Sequence, residues 1–475
     1  MTTTRKIAHN TAFQLIGKII STILGVIALG MMTRYLGQEK FGWYTTTIAF
    51  LQFIGIIIDF GLIPVTAQML SEPKYDKTKL LKNLLGFRFT TAIIFLGIAP
   101  FIALFLPYPP EVKIAISFST ISFLAVAMNQ IFIGFYQTKM KMLVQAIGEN
   151  IGRIVMIIGL WLAITAQASF LSVMWVVVLN SVAYTAFMWW QARKYDRPTL
   201  AFDWSIWKDI MRKSWPIAIS IIFNVVYLKG DTLLLTFFRN QTEVGLYGAA
   251  YRVIDILSQM AMMIMGVMLP ILAYHWSRNL KEEFKKYYQQ SFDIIMLLAL
   301  PMMMGIIMTA SQVMRIVAGQ EFIESGRPLQ ILAIAIFGVY LGAIFGHTAV
   351  SINRQKQTIW VYLSSAIITL IGYLIFIPKF GMYGAAWMTV FSELYVGIML
   401  FFVIRHYTQT KLKLKTLGKI IFSTVVMTLV LFLLRNYNLF IQIIGAIITY
   451  TLMIIATQAI SKETIKEIIS RKQHA

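Results

Sequence analysis

The sequence predicts an all-α polytopic membrane protein of about 14 transmembrane helices. Of its 475 residues 58% are hydrophobic and only 13% charged, with a mean hydropathy of +0.72. A soluble domain carries about a quarter charged residues and could not shield this much apolar surface from water. Long uncharged runs also recur along the whole length, most near the roughly 20 residues that a helix needs to cross a bilayer core. Cysteine is absent, which excludes disulfides and thiolate metal sites.

Taken in order, the first six apolar runs cover 10–33, 42–70, 80–106, 113–138, 143–165 and 169–193. The next six cover 213–238, 244–272, 288–310, 326–352, 356–377 and 381–404, and a last pair covers 416–434 and 439–460. The basic opening Met1-Thr2-Thr3-Thr4-Arg5-Lys6 resembles the start of a signal peptide. The run behind it is too long and shows no small-residue cleavage site, so it is expected to stay as a span.

Orientation follows from the Lys and Arg of the connections. With the N-terminus in the cytoplasm, 29 of the 42 basic residues fall in or beside cytoplasmic segments, 8 on the outer side and five within spans. Both termini are therefore expected to be cytoplasmic. The formal charge of +22 is then topology plus attraction to anionic lipid, and nucleic acid is not an expected partner. Ten of the eleven tryptophans sit near a span end or on the segment 194–212, Trp175 being less clear-cut.

Span 7 enters from the same side as span 1, so six-span halves are expected to be parallel repeats. Gly42-Trp43-Tyr44 opens span 2 and Gly245-Leu246-Tyr247 opens span 8, a weak echo between the halves. The expected division is a lobe over 1–193, a cytoplasmic linker over 194–212, a second lobe over 213–404, and the two extra C-terminal helices with the tail over 405–475. In the linker Trp204, Trp207, Ile210 and Met211 recur at helical spacing between charges. That pattern suits an amphipathic helix lying in the membrane interface, and equally a polar loop with two anchoring tryptophans.

Charges inside the spans carry the functional information, because each costs about 2.5–3.5 kcal/mol on insertion scales and is usually kept facing a watery cavity or a partner. They concentrate in Trp215–Asp255, where Lys229, Asp231, Arg252 and Asp255 interrupt two apolar runs at the middle of the chain. Lys18, Asp59, Arg88, Glu149, Arg153 and Glu393 complete the set. Glu149–Arg153 and Arg252–Asp255, four and three apart, can be local ion pairs that cancel their own charge. Lys229 and Asp231, two apart, point to different faces. Lys18 and Arg88 have no acidic neighbour in their own spans and can snorkel towards the surface.

Five cations, Lys18, Arg88, Arg153, Lys229 and Arg252, make the set lean basic, which suits an anionic substrate and phosphate above all. Asp59, Glu149, Asp231, Asp255 and Glu393 are the coupling or orienting candidates, with a proton or sodium ion as the coupled species. His347, inside span 10, reads as a histidine hydrogen-bonded between helices more readily than as a proton relay. No phosphate-cradling glycine loop, no HExxH and no large extramembrane loop is present. An enzyme is therefore not expected, nor a metal site or cofactor. A membrane-embedded glycosyltransferase or polymerase would need a large loop with paired carboxylates or a nucleotide-sugar site, and the sequence shows neither.

Specific stretches then resemble a known family. Asn10-Thr11-Ala12-Phe13, Thr33-Arg34-Tyr35-Leu36-Gly37, Phe41-Gly42-Trp43-Tyr44 and Asp59-Phe60-Gly61-Leu62 are similar to the N-terminal signature of polysaccharide-type flippases. These form the Wzx-like branch of the superfamily of MATE, oligosaccharidyl-lipid and polysaccharide exporters. Lys229-Gly230-Asp231, the run Val244 to Arg252, and Ile377-Pro378-Lys379-Phe380-Gly381 through Ala386 with Thr389 and Glu393 agree.

The resemblance implies two six-helix lobes in a V around a cationic cavity whose opening alternates. It implies transport of an undecaprenyl-pyrophosphate-linked oligosaccharide of O-antigen, capsule or exopolysaccharide type across the bacterial cytoplasmic membrane. The five cations would hold the pyrophosphate or acidic sugar, with membrane lipids and polysaccharide polymerase machinery as further partners. A MATE-type drug or metabolite antiporter and a peptidoglycan-precursor flippase share the fold and remain the alternatives.

Overall fold

The computed structural model describes the backbone of residues 3–59, 62–72, 75–195 and 197–459. It describes their side chains except at 3–15, 56–59, 64 and 216–228. Among the described residues every regular element is helical. In order they are α1 (Thr3–Asp59), α2 (Leu62–Ser71), α3 (Lys77–Leu104), α4 (Pro110–Thr138), α5 (Met142–Thr165), α6 (Phe170–Ala192), α7 (Trp204–Phe238) and α8 (Gln241–Ser277). Then follow α9 (Lys281–Val317), α10 (Gly326–Ser351), α11 (Ile359–Thr408), α12 (Lys415–Leu433) and α13 (Leu439–Ala456), with short 3-10 turns before α10 and α11.

Two of these helices are too long for one crossing. At about 1.5 Å per residue, the 57 residues of α1 and 50 of α11 would each run well over twice the roughly 30 Å of a bilayer core. Each breaks at a glycine in the left-handed region, Gly37 at φ 68° and Gly381 at φ 57°, where a side chain would be strained. Eleven described helices are long and apolar enough to cross a membrane. Dividing α1 and α11 at these glycines adds two spans and α7 adds one, which restores the fourteen expected from hydropathy.

The described residues fall into two compact units. The first takes in Met1–Gly248, Val317–Phe322 and Tyr373–Met382; the second takes in Ala249–Ile316, Ile323–Gly372 and Tyr383–Ala475. Within the first, α4 lies against α1, α2, α3 and α6, while α5 packs between α1 and α6. Leu80, Leu84 and Leu85 of α3 bury against Ile131, Phe132 and Phe135 of α4, Met188 of α6 and Ile210 of α7. The opposite faces stay apolar and exposed, as at Ile94, Ile98 and Phe101, which suits lipid. Since lipid tails are as apolar as leucine, close packing decides which helix faces meet.

Before α7 the chain crosses α3 at Gly86, where a Cβ would lie 3.0 Å from the carbonyl carbon of Ala201. Asp203 caps α7 by accepting the Ser205 N–H, and the Lys79 ammonium 2.8 Å away holds its carboxyl below the usual range. Tyr75 donates to Asp209 at 2.7 Å, and Lys213 pairs with Glu72. Trp207 packs edge-on against Phe87 while Trp204 remains exposed. The start of α7 is thus fastened to the α2–α3 connection, and the helix continues through to Phe238.

The echoing glycines meet. A Cβ on Gly42 would lie 2.6 Å from the carbonyl carbon of Gln241, and one on Gly245 would lie 2.9 Å from the Gly42 nitrogen. Thr46 donates to Gln241 Oε1 at 2.6 Å beside them. Each helix break also faces a carboxylate. Glu243 accepts the Met382 N–H at 2.6 Å while Arg239 donates to the carbonyls of Ile377 and Pro378. A Cβ on Gly37 would come 3.3 Å from Glu321 Oε2, and Arg34 donates to the Val317 carbonyl at 3.1 Å.

In the second unit Gly338 of α10 admits the backbone of Glu393, a Cβ there meeting its carbonyl carbon at 2.5 Å. Tyr340 donates to the Leu257 carbonyl, Ser364 and Tyr395 share a hydrogen bond, and Tyr450 of α13 donates to the Leu297 carbonyl. The final pair, α12 and α13, pack on each other.

Candidate functional site

The seam between α1 and α5 holds the densest set of the charges singled out in the sequence. It exists because Gly17 lets the helices approach closely: a Cβ there would lie 2.6 Å from that of Ala146. Asn150 donates to the Gly17 carbonyl at 3.0 Å, fastening the seam. One turn along, Glu149 Oε1 accepts from Lys18 Nζ at 2.9 Å and from Ser21 Oγ at 2.8 Å. A further turn on, the Arg153 guanidinium lies over Gly25, whose Cβ would be 3.6 Å from Cζ.

Glu149 therefore pairs across the seam with a residue 131 positions away rather than along its own helix with Arg153. Among the described residues Arg153 makes no ion pair within 4.0 Å. Lys18 is not extended to the surface but engaged, its side chain 37% exposed against 21% for Glu149. The group carries two cations and one anion and so keeps a net positive charge. An arginine fork in such a place can take a phosphate oxygen pair bidentately.

Arg88 is placed differently. It is 2% exposed, donates from Nε to the Ala127 carbonyl at 3.2 Å, and donates from Nη2 to Gln130 Oε1. These bonds join α3 to α4 inside the protein, so its cost of burial is met by packing partners rather than by snorkelling. Replacing Arg88 by Met should destabilise the fold by about 2 kcal/mol, since the partners stay buried without their donor. A detergent melting curve unchanged from the natural chain would refute that placement.

Asp231, fully buried, links α7 and α8. Tyr247 OH donates to Oδ2 at 2.5 Å, and the Thr232 N–H donates to Oδ1 at 2.5 Å. Gly230 beside it lies against the Tyr373 ring at 3.7 Å from a Cβ position, and Lys229 is half-buried. Arg252 and Asp255 are half-buried residues of the second unit, where Glu393 is 5% exposed. The Asp59 side chain lies outside the described residues. Thus Lys18, Glu149 and Arg153 come together in one seam, whereas Arg88 and Asp231 sit at separate helix interfaces.

Several participants were not singled out as site residues in the sequence. Ser21, Asn150, Tyr247 and Gln130 are uncharged, and only their spacing of one to four residues from a charged group hints at three of them. Glu243 and Arg239 stand in a polar turn, where a charge is unremarkable. Asp293 of α9 accepts from Gln289 at 3.0 Å. His347 bonds the carbonyl of Ala343 on its own helix at 2.8 Å rather than a neighbouring helix. Among the described residues no group of three or more His, Asp and Glu gathers as metal ligands would.

Comparisons with known proteins agree with this architecture. A family model described as polysaccharide biosynthesis protein matches residues 31–327. A probable low-salt glycan biosynthesis flippase of Haloferax volcanii is 25% identical over 258 residues, covering 53% of this chain. The chain spans only 55% of that relative's length. A putative O-antigen transporter of Shigella flexneri is 22% identical over 396 residues, 80% of this chain and 93% of that one. Among solved structures, the lipid II flippase MurJ in an inward closed conformation aligns over 97% of this chain and 99% of its own, with a TM-score of 0.78 at 15% identity. An inward-facing MATE family multidrug transporter of the MOP superfamily aligns over 83% and 94%, with a TM-score of 0.62 at 14% identity. These two likenesses are of fold.

Proposed function

The chain belongs to the polysaccharide biosynthesis protein family, and from that membership we propose that it is a flippase for lipid-linked oligosaccharide. The head group, an undecaprenyl-pyrophosphate saccharide of the O-antigen, capsule or exopolysaccharide kind, crosses the bacterial cytoplasmic membrane while the lipid tail stays in the bilayer. The six-span halves alternate access about the segment 194–212, with both termini in the cytoplasm. No covalent chemistry is assigned to the chain, and polymerase machinery is the expected recipient of the product.

The observation that carries this reading is the α1–α5 seam, where Arg153 stands beside a neutralised Lys18–Glu149 pair in a lipid-embedded bundle. A drug antiporter for organic cations would be expected to keep a net acidic site there instead. The names of the Haloferax and Shigella relatives support a glycan substrate. Asp231, buried and bonded to Tyr247, is the candidate coupling carboxylate, because releasing its bond to the tyrosine is one way to join α7 and α8 to protonation or cation binding.

The test is movement of a fluorescent undecaprenyl-pyrophosphate saccharide in proteoliposomes, with and without an imposed proton or sodium gradient. Protein-dependent movement is the expected result, and its gradient dependence identifies the coupled ion. Efflux of a small organic cation with no lipid movement would transfer the assignment to the antiporter.

A further inference from the structure

We propose that a trough on the first unit, between α3, α4 and α6, binds an anionic phospholipid, with an acyl chain in the trough and the phosphate held by Arg193 and Lys194. The trough encloses about 500 Å³, within the range of built small-molecule sites. Phe89, Leu124, Met128, Trp189 and Trp190 line it, and Arg193 stands among them. The one hydroxyl in the wall, that of Thr185, is already directed to the backbone carbonyls of Ala125 and Ser181. Apart from that hydroxyl, the two indole N–H groups and Arg193 the wall is apolar, which suits a hydrocarbon chain.

The rim differs from the interior. Arg193 follows directly on the last residue of α6, and Lys194 Nζ lies 5.0 Å from the centre of the Trp190 ring. Among the described residues neither cation has an ion pair within 4.0 Å. Adjacent tryptophans at a helix end mark the membrane interface, the depth at which a phospholipid carries its phosphate. Two cations there complement one phosphodiester, and their position at the C-terminal end of α6 also complements the helix dipole. A zwitterionic lipid would bring its own positive group against both. Basic pockets between membrane helices select anionic head groups on the same physical grounds.

The two tryptophans supply the readout. The full-length protein is placed in vesicles containing brominated phosphatidylglycerol or brominated phosphatidylcholine, and the quenching contributed by Trp189 and Trp190 is isolated by subtracting a W189F/W190F variant. The anionic lipid should quench that component at an about tenfold lower mole fraction than the zwitterionic one, as two basic residues at a membrane surface allow. An R193Q/K194Q variant should remove the difference. Equal midpoints for the two lipids, or a difference that survives R193Q/K194Q, would overturn the proposal. So would displacement of the anionic lipid by undecaprenyl phosphate at equal concentration, which would give the trough to the carrier's own chain. If R193Q/K194Q does not fold, Ala186→Leu narrows the trough and leaves the cations in place. Its midpoint for the anionic lipid must rise, and an unchanged one counts against the site.

Discussion

Replacing Arg153 by Gln is expected to cut translocation of the lipid-linked saccharide about a hundredfold while leaving the detergent melting temperature within about 2 °C. Truncating one side of a desolvated, hydrogen-bonded charge contact costs about 2–5 kcal/mol, and a hundredfold change lies inside that range. The stability should hold because, among the described residues, Arg153 makes no ion pair whose partner would be left behind. Arg153→Lys keeps the charge and loses the fork, so it should recover only part of the rate.

The Lys18–Glu149 pair sharpens this test. Lys18→Gln leaves Glu149 beside Arg153 without its 2.9 Å partner, and the freed carboxylate would compete with a phosphate for the guanidinium. Transport should fall. Removing Glu149 as well, in Lys18→Gln/Glu149→Gln, should restore part of it. A well-folded Arg153→Gln protein that transports at the natural rate would remove the pyrophosphate role from this seam.

The largest effect on stability is expected at Gly42. Gly42→Ala places a methyl 2.6 Å from the carbonyl carbon of Gln241, against main chain that cannot rotate away. Gly245 presses on the same crossing, 2.9 Å from the Gly42 nitrogen, so neither helix can retreat without disturbing the other. Overpacking typically costs about 1–3 kcal/mol, and a contact against main chain belongs at the upper end of that range. The expected outcome is a several-fold loss of folded protein and a clear drop in melting temperature. Gly97→Ala is the control, because nothing lies within 4 Å of its Cβ position and alanine favours helix. Similar melting of the two variants would show that the close crossing does not support the fold.

These two sites also mark how far the sequence alone reaches. The fourteen spans are visible in it, because crossing a bilayer depends on the length of each apolar run and on little else. Even the two over-long helices break beside predicted span ends, at Gly37 between runs ending at 33 and beginning at 42, and at Gly381 where the twelfth run begins. The echo of Gly42-Trp43-Tyr44 in Gly245-Leu246-Tyr247 is visible too, although that the two glycines touch is not.

The charged positions were legible as a set, and their partners were not. Glu149 has Arg153 four residues on, the spacing of a helical ion pair, and yet bonds Lys18 of another helix. Arg88 has the same local signature as Lys18, a lone cation in an apolar run, and yet lies wholly inside the α3–α4 interface. Hydropathy along one helix is a local property, so the sequence by itself determined the class, the spans and the residues out of place in lipid. How each helix is rotated about its axis depends on which small residues admit a neighbour. Gly17 and Gly42 mark two such close approaches, and only the tertiary structure decided that Arg88 is bonded between α3 and α4 while Glu149 pairs with Lys18 across the α1–α5 seam.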